Sequence, residues 1–164
     1  MKRDQIDAFC GCRETLYQRI VFFATPAILL AGIVYVAVRY AQLPAEIPSH
    51  YNFYGEIDGY GSRGTLWITP VIGLLCDALM LAVSFFPQTW NVGTSVTVFN
   101  RALVYRRVRD LIADIRLSTA VMFTAIAVWQ TALAPTFPWG MGVLIGVCCT
   151  APLVRFFVRL AMKK

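Results

Sequence analysis

Four apolar runs constrain this chain more than any other feature: Ile20 to Val38, Ile68 to Phe86, Leu117 to Ala134 and Gly140 to Val154. Each approaches the roughly 20 residues that a helix needs to cross about 30 Å of hydrocarbon. The fourth is the shortest, and it reaches residue 158 by taking in Phe156, Phe157 and Val158, with Arg155 and Arg159 snorkelling to the surface. A hydrophobic content of 58% and a mean hydropathy of +0.61 agree, against about 45–50% apolar residues in an ordinary soluble domain. The expected fold is all-α: a single membrane domain over 1–164, an integral bundle of four transmembrane helices spanning 20–38, 68–86, 117–134 and 140–158. A cleaved signal peptide is the rival reading of the first run. The long charged stretch before it, and the lack of a small-residue cleavage site closely after it, favour an uncleaved helix.

The charges set the expected orientation. Lys2, Arg3, Arg13 and Arg19 precede the first span, Arg101, Arg106, Arg107, Arg109 and Arg116 separate the second from the third, and Arg155, Arg159, Lys163 and Lys164 follow. Only Arg39 and Arg63 fall on the other side, so thirteen of the 15 basic residues share one face. Cytoplasmic flanks carry that excess, so both termini are expected inside and the loop 39–67 outside. The net charge of +6 then reflects topology and attraction to the anionic inner leaflet. It makes no case for nucleic acid, since no basic motif with interleaved stacking aromatics lies away from the membrane flanks. Five cysteines do not make a disulfide framework, because Cys10 and Cys12 lie on the reducing side and Cys76, Cys148 and Cys149 within spans. Cys10-Gly11-Cys12 lacks the second ligand pair that a metal site wants. The first nineteen residues are expected to be helical, with Ile6, Phe9, Leu16 and Tyr17 resting on the inner leaflet.

From Val96 to Leu117 the apolar positions Phe99, Leu103, Val104, Val108, Leu111, Ile112 and Ile115 recur at steps of three and four. That leaves Arg101, Arg106, Arg107, Asp110 and Asp114 largely off the stripe. Segment 96–116 therefore reads as a basic amphipathic helix lying in the membrane plane, with Arg101, Arg106, Arg107 and Arg109 available to lipid phosphates. The same stripe would also fit the groove of a soluble cytoplasmic partner. Between the third and fourth spans only Pro135 to Pro138 turn the chain, so these helices are expected to be antiparallel neighbours. Gly142, Gly146 and Thr150, at steps of four, make a small-residue face expected to pack inside the bundle, with dimerisation as the alternative.

Asp77 stands nine residues from either end of the second span, roughly 14 Å from each at about 1.5 Å per residue. An ionised carboxylate at that depth costs at least about 2.5–3.5 kcal/mol. With no basic residue expected at its level, Asp77 is expected to be neutral and bonded to a neighbouring helix through Gln130, Thr124, Thr131 or Thr150. A proton or cation relay and a polar contact to a ligand remain open.

The segment between the first two spans differs in kind. Residues 43–63, LPAEIPSHYNFYGEIDGYGSR, hold the only histidine, three carboxylates, two prolines and three glycines. Pro44 and Pro48 keep the chain extended. Gly55, Gly59 and Gly61 are expected to supply the positive φ of tight turns. Tyr40, Tyr51, Phe53, Tyr54, Tyr60 and Trp67 suit the headgroup zone. The result is a compact cap with room for a short hairpin. His50, Glu56 and Asp58 carry donors for metal ligation or acid–base work, but their spacing fits no zinc or EF-hand pattern. No catalytic residue, metal or cofactor is assigned. His50 and Asp58 are expected to fasten the loop, the Asp accepting backbone N–H bonds, and Arg63 to pair with an acid or a lipid phosphate.

The run Leu43-Pro44, Ile47-Pro48, His50-Tyr51-Asn52, Gly55, Asp58 and Tyr60-Gly61-Ser62-Arg63, followed by a span opening near Pro70, resembles the signature of a bacterial membrane family known as a domain of unknown function. The same module forms the N-terminal part of SdpI-type proteins, and the four-span layout is similar. Two features depart from the pattern: Arg63 stands where the family usually has lysine, and SdpI-type proteins carry further C-terminal spans. The resemblance implies a bacterial cytoplasmic membrane, and relatives that protect cells from an antimicrobial peptide toxin and hold a transcriptional repressor at the membrane.

The expected function is a non-enzymatic, multi-pass binding or regulatory protein. Its loop, through His50, Asn52, Asp58, Tyr60 and Arg63, recognises an extracellular peptide, lipid or partner membrane protein, and the segment from Arg101 to Arg116 passes the signal inward to a partner such as a repressor. The alternative is a small proton- or ion-coupled transporter subunit using Asp77, with Gln130 as its intramembrane polar neighbour. A third is an outer-surface enzyme using His50, Asp58 and a metal.

Overall fold

The structure, a computed structural model, describes residues 1–92 and 95–162; Lys163 and Lys164 of the charge count lie outside the described residues. Helix α1, Arg3–Cys10, ends at Gly11, whose φ of +67° is a left-handed turn that only glycine takes cheaply. Thr15 then caps α2, Leu16–Tyr40. Its hydroxyl accepts from the Gln18 N–H at 3.2 Å while the Gln18 side chain accepts from the Thr15 N–H at 3.1 Å. Strands β1, Glu46–Tyr51, and β2, Ile57–Ser62, form an antiparallel hairpin with Glu46 opposite Ser62 and Tyr51 opposite Ile57. A 3-10 turn, Arg63–Trp67, leads into α3, Ile68–Ser84, and a second, Pro87–Thr89, precedes α4, Arg101–Gln130; α5 is Trp139–Ala161.

Four stretches are long and apolar enough to cross a membrane: Leu16–Tyr40, Arg63–Ser84, Arg101–Gln130 and Trp139–Ala161. They run alternately up and down, so the hairpin sits at one end of the bundle, the cap end. Helix α1 and Met162 share the other, the terminal end, where Arg107 Nη2 donates to the Met162 carbonyl at 3.4 Å. Helix α4 is the central rod and packs on α2, α3 and α5. Two glycines let its neighbours approach. A Cβ on Gly32 of α2 would stand 2.9 Å from Thr124 Cγ2, and one on Gly73 of α3 would stand 2.9 Å from Phe123 Cβ.

Three expectations change. The in-plane helix and the third span are one continuous helix, because 101–130 contains neither glycine nor proline and the acids of its first half are buried, Asp110 to 9% and Asp114 to 8% exposure. A helix lying on a leaflet would have left those acids in water. The N-terminal segment does not spread on the leaflet either. Ile6, Cys10 and Cys12 bury themselves with Tyr105 of α4, Phe9 packs edge-on to Tyr105, and the Tyr17 hydroxyl donates to Asp114. Finally, the small-residue face of α5 points away from the bundle, since nothing lies within 4 Å of a Cβ built on Gly146. The opposite face, bearing Cys148, Pro152, Arg155 and Arg159, turns to α4, because the two arginines find Asp114 and Asp110 there.

Candidate functional site

The cap is built from local chemistry. Asn52 Oδ1 accepts from the N–H groups of Tyr54 (2.9 Å) and Glu56 (3.0 Å), closing the turn between the strands, and its Nδ2 donates to Glu56 at 3.1 Å. Gly55 supplies the one positive φ in the loop, +81°. Gly59 and Gly61 do not supply it, contrary to expectation. They make room across the hairpin, where a Cβ would lie 3.1 Å from His50 Cβ and 3.2 Å from Ser49 Cβ. The loop is pinned to the bundle by the Phe137 N–H donating to Gly55 O at 2.7 Å, and by the Tyr51 hydroxyl donating to Ala134 O at 2.9 Å. Tyr51 packs against Trp129 and Phe137 at ring separations of 5.1 and 6.1 Å, and burial pushes its phenol above the usual range. Beneath the sheet, Val36, Leu43, Ile47, Leu66 and Ala127 form a small core.

His50 Nδ1 meets Asp58 Oδ1 at 2.5 Å in an exposed pair that ties β1 to β2. Asp58 thus holds the imidazole, where backbone N–H groups were expected. Glu56 is engaged by Asn52, so the three residues do not converge on one point, and among the described residues no three His, Cys, Asp or Glu side chains gather as ligands. Arg63 pairs with neither an acid nor open space: Nη1 donates to Leu43 O at 3.2 Å and the guanidinium lies 4.9 Å from the Tyr40 ring centre. Tyr60 is 66% exposed, and the hairpin tip is barer still, with Phe53 99% and Tyr54 84% exposed.

The interior holds the main correction. Asp77 is not a lone acid: Arg116 Nε donates to Oδ1 at 2.8 Å and Nη2 to Oδ2 at 3.1 Å, and Nη2 also donates to Thr25 Oγ1 at 2.7 Å. The forked pair joins α2, α3 and α4 with both side chains buried. The expected depth was wrong because α4 carries Arg116 into the bundle and points its long stem at α3. None of the four expected partners reaches Asp77. Gln130 accepts from the Thr69 hydroxyl at 2.9 Å, and Thr124, Thr131 and Thr150 bond backbone carbonyls of Ile28, Val128 and Gly146.

Nearer the terminal end a second network appears. Asp110 accepts from Gln18 Nε2 at 2.7 Å and from Arg159, while Asp114 accepts from Tyr17 and Arg155. Of the basic residues expected to face lipid or a partner, Arg109 is held by Asp7 (2.7 Å) and Cys12 O (3.1 Å), Arg101 lies 4.9 Å from the Phe9 ring centre, Arg107 reaches Met162, and Arg106 is exposed. Close by, burial pushes the Cys10 thiol up to about 11.

A profile of the family described as Domain of unknown function (DUF1648) matches residues 27–74, which cover most of α2, the hairpin and the start of α3. A protein of Archaeoglobus fulgidus, described as uncharacterized, is 25% identical over 145 residues, 79% of this chain and 79% of its own length. That relative is archaeal, so the bacterial origin implied by the loop residues gains no support from it. No solved structure matches the chain.

Proposed function

We propose that this chain is a non-enzymatic, multi-pass binding protein of a bacterial cytoplasmic membrane, similar in role to SdpI-type proteins. In this reading both termini are cytoplasmic, and the cap recognises an extracytoplasmic polypeptide, either a free peptide or a segment of a partner membrane protein. One observation carries the reading. The hairpin is braced from below, with Ile47 1% and Leu66 0% exposed, yet its tip presents Phe53 and Tyr54 almost wholly bare. Holding two aromatic rings in water on a rigid turn has a cost that a partner would recover, and aromatic anchors are what protein interfaces use. Helix α4 touches the cap through Trp129 and ends among the basic residues at the other end, which supports a relay toward a cytoplasmic partner such as a repressor. Transport through Asp77 is the weaker reading, since its carboxylate is engaged by Arg116 and no separate observation favours it.

The test places a photo-crosslinking residue at position 54 in intact cells, with a second at lipid-facing Val34 as control. The reading expects an adduct with one polypeptide from position 54 that disappears in Phe53→Ser. Lipid adducts alone, or the same products from both positions, would overturn it. Labelling of Ser49→Cys by an impermeant thiol reagent only after the cells are broken open would invert the proposed orientation.

A further inference from the structure

At the terminal end, enclosed by α1, the first turns of α2, the end of α3 and the middle of α4, lies a half-open cavity of about 70 Å³. Since a water needs about 10–15 Å³ by this measure, roughly five would fit, the bulk of a phosphate's five heavy atoms. Arg116 forms its floor, with a side chain only 5% exposed. The Nε and Nη2 donors of that guanidinium are engaged by Asp77 and Thr25, whereas Nη1 has no hydrogen bond to any described residue. Arg3 and Arg109 line the cavity as well. Arg109 uses Nη1 on Asp7, and Arg3 uses Nη1 on Glu14 at 3.5 Å. Glu14, the one carboxylate in the lining, is also approached by Arg19 at 3.8 Å.

Arg3, Arg19, Arg109 and Arg116 face Asp7, Glu14 and Asp77, and one positive charge is left over. The remaining wall is aromatic. Phe22 lies between two of the cations, its ring centre 4.3 Å from the Arg3 guanidinium and 5.8 Å from that of Arg116, and Phe85 and Trp90 complete the wall. Guanidinium forks with unused donors select oxygens arranged as in a phosphate. An aromatic rim where an apolar helix begins is where lipid headgroups sit.

We propose that this cavity seats a singly charged phosphate group, the chemistry shared by the phosphodiester of an anionic phospholipid and by free dihydrogen phosphate. It is a separate site from the cap and stands whether or not the cap binds a polypeptide.

The test uses the full chain in a neutral detergent and measures binding of phosphatidylglycerol, inorganic phosphate and phosphatidylcholine by native mass spectrometry and by shifts in Tm. Saturable binding at one site is expected, with phosphatidylcholine excluded by its choline cation. Arg3→Gln removes a wall cation, and Ala113→Met fills the cavity from a buried lining position without touching a charge. Each is expected to weaken binding at least about tenfold, while Arg39→Gln, at the cap end and outside the lining, leaves it unchanged. If phosphate competes with bound phosphatidylglycerol, the source is lipid; if phosphate binds and the lipid does not, the source is soluble, and both results uphold the site. Absence of saturable binding by either probe, or wild-type binding in Arg3→Gln, would overturn it, and Arg3→Gln carries the test alone should Ala113→Met not fold.

Discussion

Replacing Arg116 by Met gives the sharpest check on the interior. The guanidinium makes three hydrogen bonds, to Asp77 at 2.8 and 3.1 Å and to Thr25 at 2.7 Å. The two charged side chains are only 5% and 8% exposed, so solvent screening does little for whichever charge remains alone. Removing one member of a buried pair costs about 3–5 kcal/mol, whereas exchanging both for apolar groups of similar volume is neutral or stabilising. Arg116→Met should therefore lose about 3–5 kcal/mol, and Asp77→Leu a similar amount, since each strands the opposite charge. The double variant Asp77→Leu/Arg116→Met should return to within about 1 kcal/mol of the parent, the residue being the lost bond to Thr25. Reversible unfolding in micelles, followed by circular dichroism or steric trapping, gives the four stabilities of the cycle. Additive losses, with the double variant worse than either single one, would refute the reasoning, as would Arg116→Met within about 0.5 kcal/mol of the parent.

Other outcomes follow from packing and charge. Gly73→Ala places a methyl 2.9 Å from Phe123 Cβ, an atom too close to the α4 backbone to swing aside; a loss of about 1–3 kcal/mol is expected in the same unfolding assay. Asp110→Asn with Asp114→Asn should loosen the end of α5 at about 1–2 kcal/mol per bond, reduced because Arg155 and Arg159 are each 38% exposed. Faster exchange of backbone amides near Arg155 reports that loosening, and unchanged exchange would contradict it. The Cys10 thiol, raised from 9.0 to about 11, should resist alkylation at pH 8 in the folded protein. Because the unfolded chain releases that proton first, stability should be intact below pH 9 and fall as pH rises toward 11.

The sequence declared its helices through length and apolarity, and four stretches long and apolar enough to cross a membrane overlap those runs, the third beginning sixteen residues ahead of its run. Their contacts were harder to read. Asp110 and Asp114 looked like the polar side of a surface helix, because periodicity registers which residues share a face and not what that face meets. A usable signal was present in spacing: acids four apart on one helix and Arg155 and Arg159 four apart on its antiparallel neighbour pair in register, 114 with 155 and 110 with 159. Arg116 was assigned to the membrane surface by its place just before an apolar run. Its side chain reaches inward because Asp77 and Thr25 offer acceptors there that hydrocarbon does not. In the cap, the residues around Asn52 and Gly55 announced a turn, and the hairpin formed. The pairing of His50 with Asp58, eight residues apart, needed the strand register to be known.

A 30-residue helix measures about 45 Å, half again the thickness of the hydrocarbon it crosses. With all three other spanning helices packed on it, α4 would pivot near Ala120, which is fully buried, if it tilted as a rigid rod. A tilt of about 5° at that point sweeps the Arg101 end, about 28 Å away, through about 2.5 Å and the Gln130 end, about 15 Å away, through about 1.3 Å. Displacement of Trp129 by an occupant of the hairpin would thus arrive at Arg101 with reversed direction and about twice the amplitude, and would need no change in the helix itself.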